Sequence, residues 1–540
     1  MSRLKYNIEK YTLRKEQKDV VDFVTTSYNN NKMVKYFLLN LPTGVGKSLI
    51  SLLLSDFYID NINPNGKIDI ITNNKLLQNQ YLEMFSNIND LKGKSNYFCD
   101  KYKCTCESGL KLDALNNSKC DKQCPYELAR NMYISGEIAL TNFYLYLINA
   151  IHDTELMKGR KSSMLIVDEA HNFDDVMSDF MTVVVSCNSI KKLKLKCEKS
   201  LLSKMNGIKD LNDILDFLSS YKNAIDGDIL LLETKLKNNK KKNVQQLQSL
   251  TSLQHISERI QLCTDQCKKN PENFLYDIKI NSDNGEKDLT ISLEPLWASD
   301  YLYKYVYSKY DMIVFMSGTI LDKDIFCKLN GLNTDDTVYY SIDSPFDVSH
   351  RPIHYLPVGK MSYAKKHDTF QLYVPIIEKL LEKYKDKKGI IHTNSFELAN
   401  WIRDAIHDDR LIYHTSKNKD DMLLYFKESQ MPCVMVSPSM DTGVSFDDDL
   451  ARFQIIAKIP YPSLASKKNK LRMETYREWY SWKTVCGVIQ MCGRVVRNED
   501  DSADTIIIDE NFTTLYNTSK KYFPEWFINA IHTYRIKNRK

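Results

Sequence analysis

The 540-residue chain has no run of about 18 consecutive apolar residues, the length a helix needs to cross a bilayer. Its opening stretch, MSRLKYNIEKYTLRKEQ, lacks the apolar core of a secretory leader. No membrane span and no signal peptide are expected, and the chain reads as intracellular, with cytoplasm and nucleus not distinguished. A strong charge of one sign is missing too. Lys and Arg number 74 against 69 Asp and Glu, a net charge of +5, so a polyanionic partner is permitted but not demanded. Any basic patch must be local. With 43% hydrophobic and 26% charged residues, the composition is that of a globular chain long enough for two to four domains. Cysteine is the exception to this plainness. Thirteen are present, and five of them (Cys99, Cys104, Cys106, Cys120 and Cys124) fall within 26 residues.

The stretch Phe37 to Ile50 carries the clearest chemistry. An apolar run, Phe37-Leu38-Leu39, ends in a Pro-Thr-Gly-Val-Gly turn, and Lys47-Ser48 then open a helix through Leu49, Ile50, Leu52, Leu53 and Leu54. Such a loop cradles phosphate when its glycines let successive backbone N–H groups turn inward, its lysine reaches the β- and γ-phosphates and its hydroxyl meets Mg²⁺. Pro42, Thr43, Gly44, Val45, Gly46, Lys47 and Ser48 are the candidate nucleotide loop. The formal motif begins with glycine where this chain has Leu41, so an ordinary Gly-rich strand-to-helix turn is the competing reading.

The spacing of Val20, Val21, Phe23 and Val24 predicts a helix ahead of this loop, from which Arg14 and Gln17 either face a nucleotide base or lie solvated at the surface. Lys67 to Thr72 reads as a strand and Asn73 to Phe85 as a helix, so the chain opens as βαβα and predicts a parallel sheet. A buried strand, Met164 to Val167, ends in Asp168-Glu169-Ala170-His171. Carboxylates at the C-terminal end of such a strand lie at the crevice where ligands bind. There Asp168 can hold Mg²⁺ through water, and Glu169 can orient or deprotonate an attacking water.

About 120 residues separate Lys47 from Asp168, more than a few βα units need, and the cysteine stretch is the expected insertion. A second gap, 181–290, reads as a helical insert on the spacing of Ile208, Leu211, Ile214, Leu215 and Leu218, and of Val244, Leu247, Leu250, Leu253, Ile256, Ile260 and Cys263. Its Lys235 to Lys242 run is a solvated loop or a nucleic-acid contact, and Cys263 and Cys267 are core residues or ligands. Tyr301 to Tyr310 is a base-stacking platform or a packed helix before the strand that ends at Ser317. Prolines near Ser341 to Pro357 suggest a boundary. Beyond it, strand-like runs at 389–393, 433–437, 453–459 and 505–509 predict a second α/β domain without a phosphate loop. It contains Gln490, Arg494 and Arg497. Three residues apart, the two arginines would share one helix face and reach across a cleft to neutralise transition-state charge, or belong to a salt-bridged surface helix.

Taken in order, LPTGVGKS, NNKLLQNQY, LKGKSNYFC, CPYELAR, VDEAHN, SGT, SPSMDTGVSF with RFQIIAKIPYPS, and QMCGRVVRNEDD with IIIDENF resemble the motifs of the XPD/DinG-type iron-sulfur helicases of superfamily 2 over nearly the whole chain. The resemblance implies two RecA-like, doubly wound parallel-sheet motor domains. The first would comprise 1–90, 127–180 and 291–345, interrupted by an iron-sulfur insert at 91–126 and an arch-like helical insert at 181–290; the second would be 346–540. It implies ATP and Mg²⁺ held by Lys47, Ser48 and Asp168, water handled by Glu169, Arg494 and Arg497 across the cleft, Gln490 coupling ATP to nucleic acid, and Gln17 beside the adenine.

It further implies a [4Fe-4S] cluster. Cys99 and Cys124 match the outer ligands by their flanks, and the expected set adds Cys104 and Cys120, with Cys106 as alternate because ligands one residue apart suit one cube poorly; tetrahedral Zn²⁺ is the alternative. Thr442-Gly443-Val444-Ser445 departs from the family's Glu-Gly-Val-Asp, with Asp441 and Asp447 as neighbouring acids. The implied activity is an ATP-dependent, 5′ to 3′ DNA helicase, a monomeric motor on single-stranded or forked DNA. Its rivals are a DEAH-type RNA helicase and a nucleic-acid-binding scaffold with a weakened motor.

Overall fold

A computed structural model describes residues 12–85, 87–116, 118, 124–238, 244–283, 286–438, 446, 448–496 and 498–534. Two seven-stranded sheets, each parallel throughout, form its body. Across the first, the strands run Thr337–Ser341, Tyr36–Asn40, Met312–Ser317, Met164–Asp168, Ile68–Thr72, Ile138–Asn142 and Asn89–Asp90. Five of these are buried at every position. Their sequences are mostly apolar, with Asp69 the one charge inside a strand, because crossover helices cover both faces of a parallel sheet.

The period of two is still visible in where the side chains go. Phe37 and Leu39 join one core with Val20, Val24, Ile50 and Leu52 of helices Lys15–Asn30 and Lys47–Asn61, while Tyr36 and Leu38 join the other with Phe143 and Phe173. Register brings Asn40 level with Ser317, and Met316 level with Asp168, so three neighbouring strands end together. That edge is the crevice expected of an open α/β sheet.

The second sheet runs Leu411–Tyr413, Val434–Ser437, Gly389–His392, Phe453–Ile456, Asp504–Asp509, Ile353–Gly359 and Ile531–Thr533. Within the cysteine stretch, Phe98–Cys99 pairs antiparallel with Cys104–Thr105, and helix Cys106–Leu115 follows. In the second gap the spacing of apolar residues correctly marks two long helices, Leu211–Asn238 and Val244–Lys269. The reading of 181–290 as helical is too simple, however. Val183–Ser186, Phe274–Asp283 and Glu286–Pro295 form a three-stranded antiparallel sheet. Its signal is the alternation of Phe274, Tyr276 and Ile278 and of Leu289, Ile291 and Leu293, all of which turn to the core.

Cys263 and Cys267 are core residues, and so are Tyr301, Tyr307 and Tyr310, which leaves no stacking platform from those rings. Helix Leu211–Asn238 takes in Lys235 and Lys237, whereas Lys240, Lys241 and Lys242 lie outside the described residues. Among the described residues, no helix is long and apolar enough to cross a membrane.

One buried ion pair ties helix Pro125–Ser135, which leads out of the cysteine stretch, to the sheet. Arg160 donates from Nε to Asp69 Oδ1 at 2.6 Å, from Nη1 to the carbonyls of Tyr133 and Gly136 at 2.6 Å each, and from Nη2 to the Ile68 carbonyl at 2.7 Å. Tyr310 donates to the other Asp69 oxygen at 2.6 Å. Removing one partner strands a buried charge, which typically costs about 3–5 kcal/mol. Arg160→Met should therefore lower the unfolding midpoint in denaturant melts, and adding Asp69→Asn should restore part of the loss; an unchanged midpoint in Arg160→Met would reject this anchor.

Candidate active site

The candidate phosphate loop leaves strand Tyr36–Asn40 at Leu41, whose N–H donates to the Ser317 carbonyl at 2.8 Å. Leu41 is fully buried, so it serves as a core residue where the formal motif has glycine. The turn is made further on. Gly44 and Gly46 have φ of +88° and +84°, a region side chains rarely adopt. A Cβ on Gly44 would also run into the Phe346 ring, and one on Gly46 would lie 2.6 Å from the Gln17 amide.

The loop is braced from helix Lys15–Asn30. Gln17 Nε2 donates to the Val45 carbonyl at 2.9 Å, Arg14 Nη1 to the Gly44 carbonyl at 2.8 Å, and the Arg14 N–H to Gln17 Oε1 at 3.0 Å. Gln17 is thus buried against the loop rather than solvated. Lys47 and Ser48 open helix Lys47–Asn61, placing its unpaired N–H groups and positive dipole end at the loop.

Asp168 and Glu169 stand at the end of their strand, facing Lys47. Lys47 Nζ lies 3.5 Å from Glu169 Oε1, and Tyr81 Oη donates to Asp168 Oδ2 at 3.3 Å. Glu169 sits at φ +55°, a strained conformation for a side-chain-bearing residue and one that collects at functional sites. Burial first, and the adjacent Glu169 charge second, push the Asp168 carboxyl up to about 6. Two crowded carboxylates beside the Ser48 hydroxyl make a hard-oxygen donor set suited to Mg²⁺. His171 places Nδ1 2.8 Å from Ser317 Oγ and 3.4 Å from Glu169 Oε2. Burial lowers it to about 4, so it is neutral at pH 7 and orients Glu169 without adding charge.

The opposite wall comes from the second sheet. Gln490, on helix Arg477–Cys492, donates from Nε2 to Thr319 Oγ1 at 2.9 Å, and Arg494 Nη2 donates to Gln490 Oε1 at 3.2 Å. The helix ends at Cys492, so Arg494 projects from the turn after it, not from a helix face as its spacing suggested. Arg497 lies outside the described residues, as do Cys120, Asp441, Thr442, Gly443, Val444, Ser445 and Asp447. Pro42, Thr43, Gly44, Gly46, Lys47, Ser48, Asp168, Glu169, Gln490 and Arg494 line one cavity of about 460 Å³. Both walls therefore face a single space.

A second cavity, of about 450 Å³, shares His171, Asn172 and Gln490 with the first. A charged cluster around it was not foreseeable. Lys483, on the helix of Gln490, pairs with Asp175 at 2.6 Å, Arg472 lies 3.8 Å from Asp175, and Lys468 lies 3.5 Å from Glu294. Arg472 is held between the Trp297 and Trp479 rings, 4.8 and 5.3 Å from their centres. The lysine and arginine charges hold the Asp175 carboxyl below its ordinary value, although burial acts the other way and is the largest influence. Asp175 follows the Asp168–His171 run by four residues, but nothing in the sequence pairs it with Lys483.

Among the cysteines, Cys99, Cys106 and Cys124 are buried in one small cluster with Tyr126 and Tyr133, and Cys104 is half-buried at its edge, opposite Cys99. Cys106 Sγ lies 3.9 Å from Cys124 Sγ, and a Cβ on Gly109 would come within 2.7 Å of Cys99 Sγ. Cys106, the sequence's alternate, is therefore more central than Cys104. Among the described residues, no three His, Cys, Asp or Glu side chains converge to hold a single metal ion.

Comparison with known proteins agrees with this arrangement. Residues 377–530 match the helicase C-terminal domain family, and residues 10–205 match the family described as type III restriction enzyme, res subunit. The chain is 23% identical over 471 residues to the ATP-dependent DNA helicase CHL1 of Vanderwaltozyma polyspora, a match taking in 72% of this chain and 56% of that protein. It is 21% identical over 275 residues to the 3′-5′ exonuclease DinG of Staphylococcus saprophyticus, taking in 48% of this chain and 30% of that one. The chain thus spans about half the length of the CHL1 relative it matches. A solved structure described as an XPD helicase superposes with a TM-score of 0.67 at 17% identity, over 97% of this chain and all of that one, and shares the pair of RecA-like parallel sheets. With the candidate phosphate loop, the two carboxylates and the cross-cleft glutamine and arginine in one cavity, the chain is similar to the XPD/DinG/CHL1-type helicases in its two matched segments and in its fold.

Proposed function

We propose that the chain is an ATP-dependent DNA helicase that tracks 5′ to 3′ on single-stranded or forked DNA as a monomer. The observation that carries this reading is the one cavity faced by Lys47, Asp168 and Glu169 from the first sheet and by Gln490 and Arg494 from the second. Lys47 and the loop N–H groups bind the phosphates, and Ser48 and Asp168 hold the Mg²⁺ that accompanies ATP. Glu169, oriented by neutral His171, accepts a proton from the attacking water. Arg494, with Arg497, stabilises charge on the γ-phosphate from across the cleft, so hydrolysis requires both sheets to be in place. Gln17 sets the loop's conformation, which leaves its adenine role secondary. DNA as the substrate draws support from the similarity to CHL1, an ATP-dependent DNA helicase, and the polarity from the motif resemblance.

For the cysteines we propose a [4Fe-4S] cluster on Cys99, Cys106 and Cys124, completed by Cys120 or Cys104. The thiols fit such a group: they are buried, burial pushes Cys106 up to about 11, and a cation is what would hold them as thiolates. When bound, the cluster would cross-link the short ladder of Phe98–Cys99 and Cys104–Thr105 to the start of helix Pro125–Ser135.

Three measurements check these assignments. Glu169→Gln should bind ATP normally but hydrolyse it about 10² to 10⁴-fold more slowly in a DNA-stimulated ATPase assay, and a fork with a 5′ tail should be unwound in preference to one with a 3′ tail. RNA-only stimulation would favour the RNA-helicase reading, and fork binding without turnover the scaffold reading. Protein prepared without oxygen should contain iron and sulfide, lost in Cys106→Ser but retained in Cys104→Ser if Cys120 is the fourth ligand; stoichiometric zinc without iron would reject the cluster. Reversing one charge at the Asp175–Lys483 pair, as in Asp175→Lys, should depress DNA-stimulated hydrolysis, and the exchange Asp175→Lys with Lys483→Asp should recover part of it. An additive double variant would rule out coupling through that pair.

A further inference from the structure

Arg351 lies in the short segment that joins strand Thr337–Ser341 of the first sheet to strand Ile353–Gly359 of the second. It lines the nucleotide cavity yet is only 7% exposed. Its guanidinium rests on the Trp526 ring, 4.1 Å from the centre, and Nη2 donates to the Phe346 carbonyl at 2.9 Å. Nε is buried without a hydrogen-bond partner, and among the described residues no carboxylate comes within ion-pair distance of the side chain. Asp343 and Asp347 favour its charge only through space, and burial, the larger influence, pulls it down to about 10, still protonated at pH 7.

A buried cation with an unused donor is costly unless something answers it. The cavity it lines is the one that the proposed function fills with a nucleoside triphosphate. Phe346, whose carbonyl Arg351 holds, also lies over Gly44 of the phosphate loop. Its position in the cavity wall and its missing counter-ion point to the same ligand.

We propose that Arg351 is a nucleotide-binding residue that supplies a further cation to the phosphate chain of ATP from the connector between the two sheets. This rests on the ATP reading of the cavity. A guanidinium kept only for packing should stabilise the nucleotide-free protein, whereas one awaiting an anion should not.

The test compares wild type, Arg351→Met and Arg351→Lys as full-length proteins, by titration calorimetry with ATP and Mg²⁺ and by thermal melting with and without ATP. Methionine preserves apolar contact with Trp526, and lysine preserves charge without the planar fork. The nucleotide-free melting temperature of Arg351→Met should equal or exceed that of wild type. Its ATP affinity should fall about tenfold or more, as expected for loss of a charge-assisted hydrogen bond, with Arg351→Lys intermediate. Wild-type ATP affinity in a folded Arg351→Met protein would overturn the proposal while leaving the ATP reading intact. Absence of ATP binding in wild type itself would overturn both.

Discussion

A polar chain across the cleft is the constraint on which the rest of the molecule depends. Arg494 donates to Gln490, and Gln490 donates to Thr319. The Thr319 N–H donates to Ser317 Oγ at 3.1 Å, Ser317 meets His171, and His171 and Lys47 both reach Glu169. The chain therefore passes from the second sheet through three strand ends of the first to the phosphate loop. None of these contacts is strong alone, since a typical hydrogen bond contributes roughly 1 kcal/mol net. Linked in a partly buried place, they make the arrangement of the proposed catalytic end sensitive to whether the sheets are together.

The two sheets meet at a second place as well. The cluster of Asp175, Lys483 and Arg472 sits beside His171 and Gln490, on helices Phe173–Phe180, Arg477–Cys492 and Lys467–Thr475. Partly exposed ion pairs of this kind contribute little net stability, and they are demanding of geometry. That combination suits the proposed closing of the two sheets around ATP. The Arg160–Asp69 pair does the opposite work, fixing helix Pro125–Ser135 against one sheet.

How much of this was legible in sequence follows from the range of each interaction. The phosphate loop, Asp168 and Glu169 were readable because the chemistry is local: glycines, lysine and carboxylates act within a few residues of a strand end. The long helices were readable from periodicity. The antiparallel strands at 274–295 were masked by the helical pattern before them, although their alternation was there to be counted. Gln17 and Arg494 were identified, but their surroundings were not: Gln17 turned out to brace the loop, and the arginine to follow a helix end. Arg351, Lys483 and Asp175 carried no local signal, because each gains meaning only from a partner on another element. The cysteines fell between these cases, since their clustering was plain in the sequence while the centrality of Cys106 depended on how the ladder and helix pack.

The coupling of the two sheets through Gln490 can be measured directly by comparing Gln490→Ala with wild type for ATP affinity and for ATP hydrolysis with and without single-stranded DNA. If the polar chain transmits closure, Gln490→Ala should bind ATP within a few-fold of wild type and hydrolyse it slowly, with most of the DNA stimulation gone. Full stimulation by DNA in Gln490→Ala would contradict it.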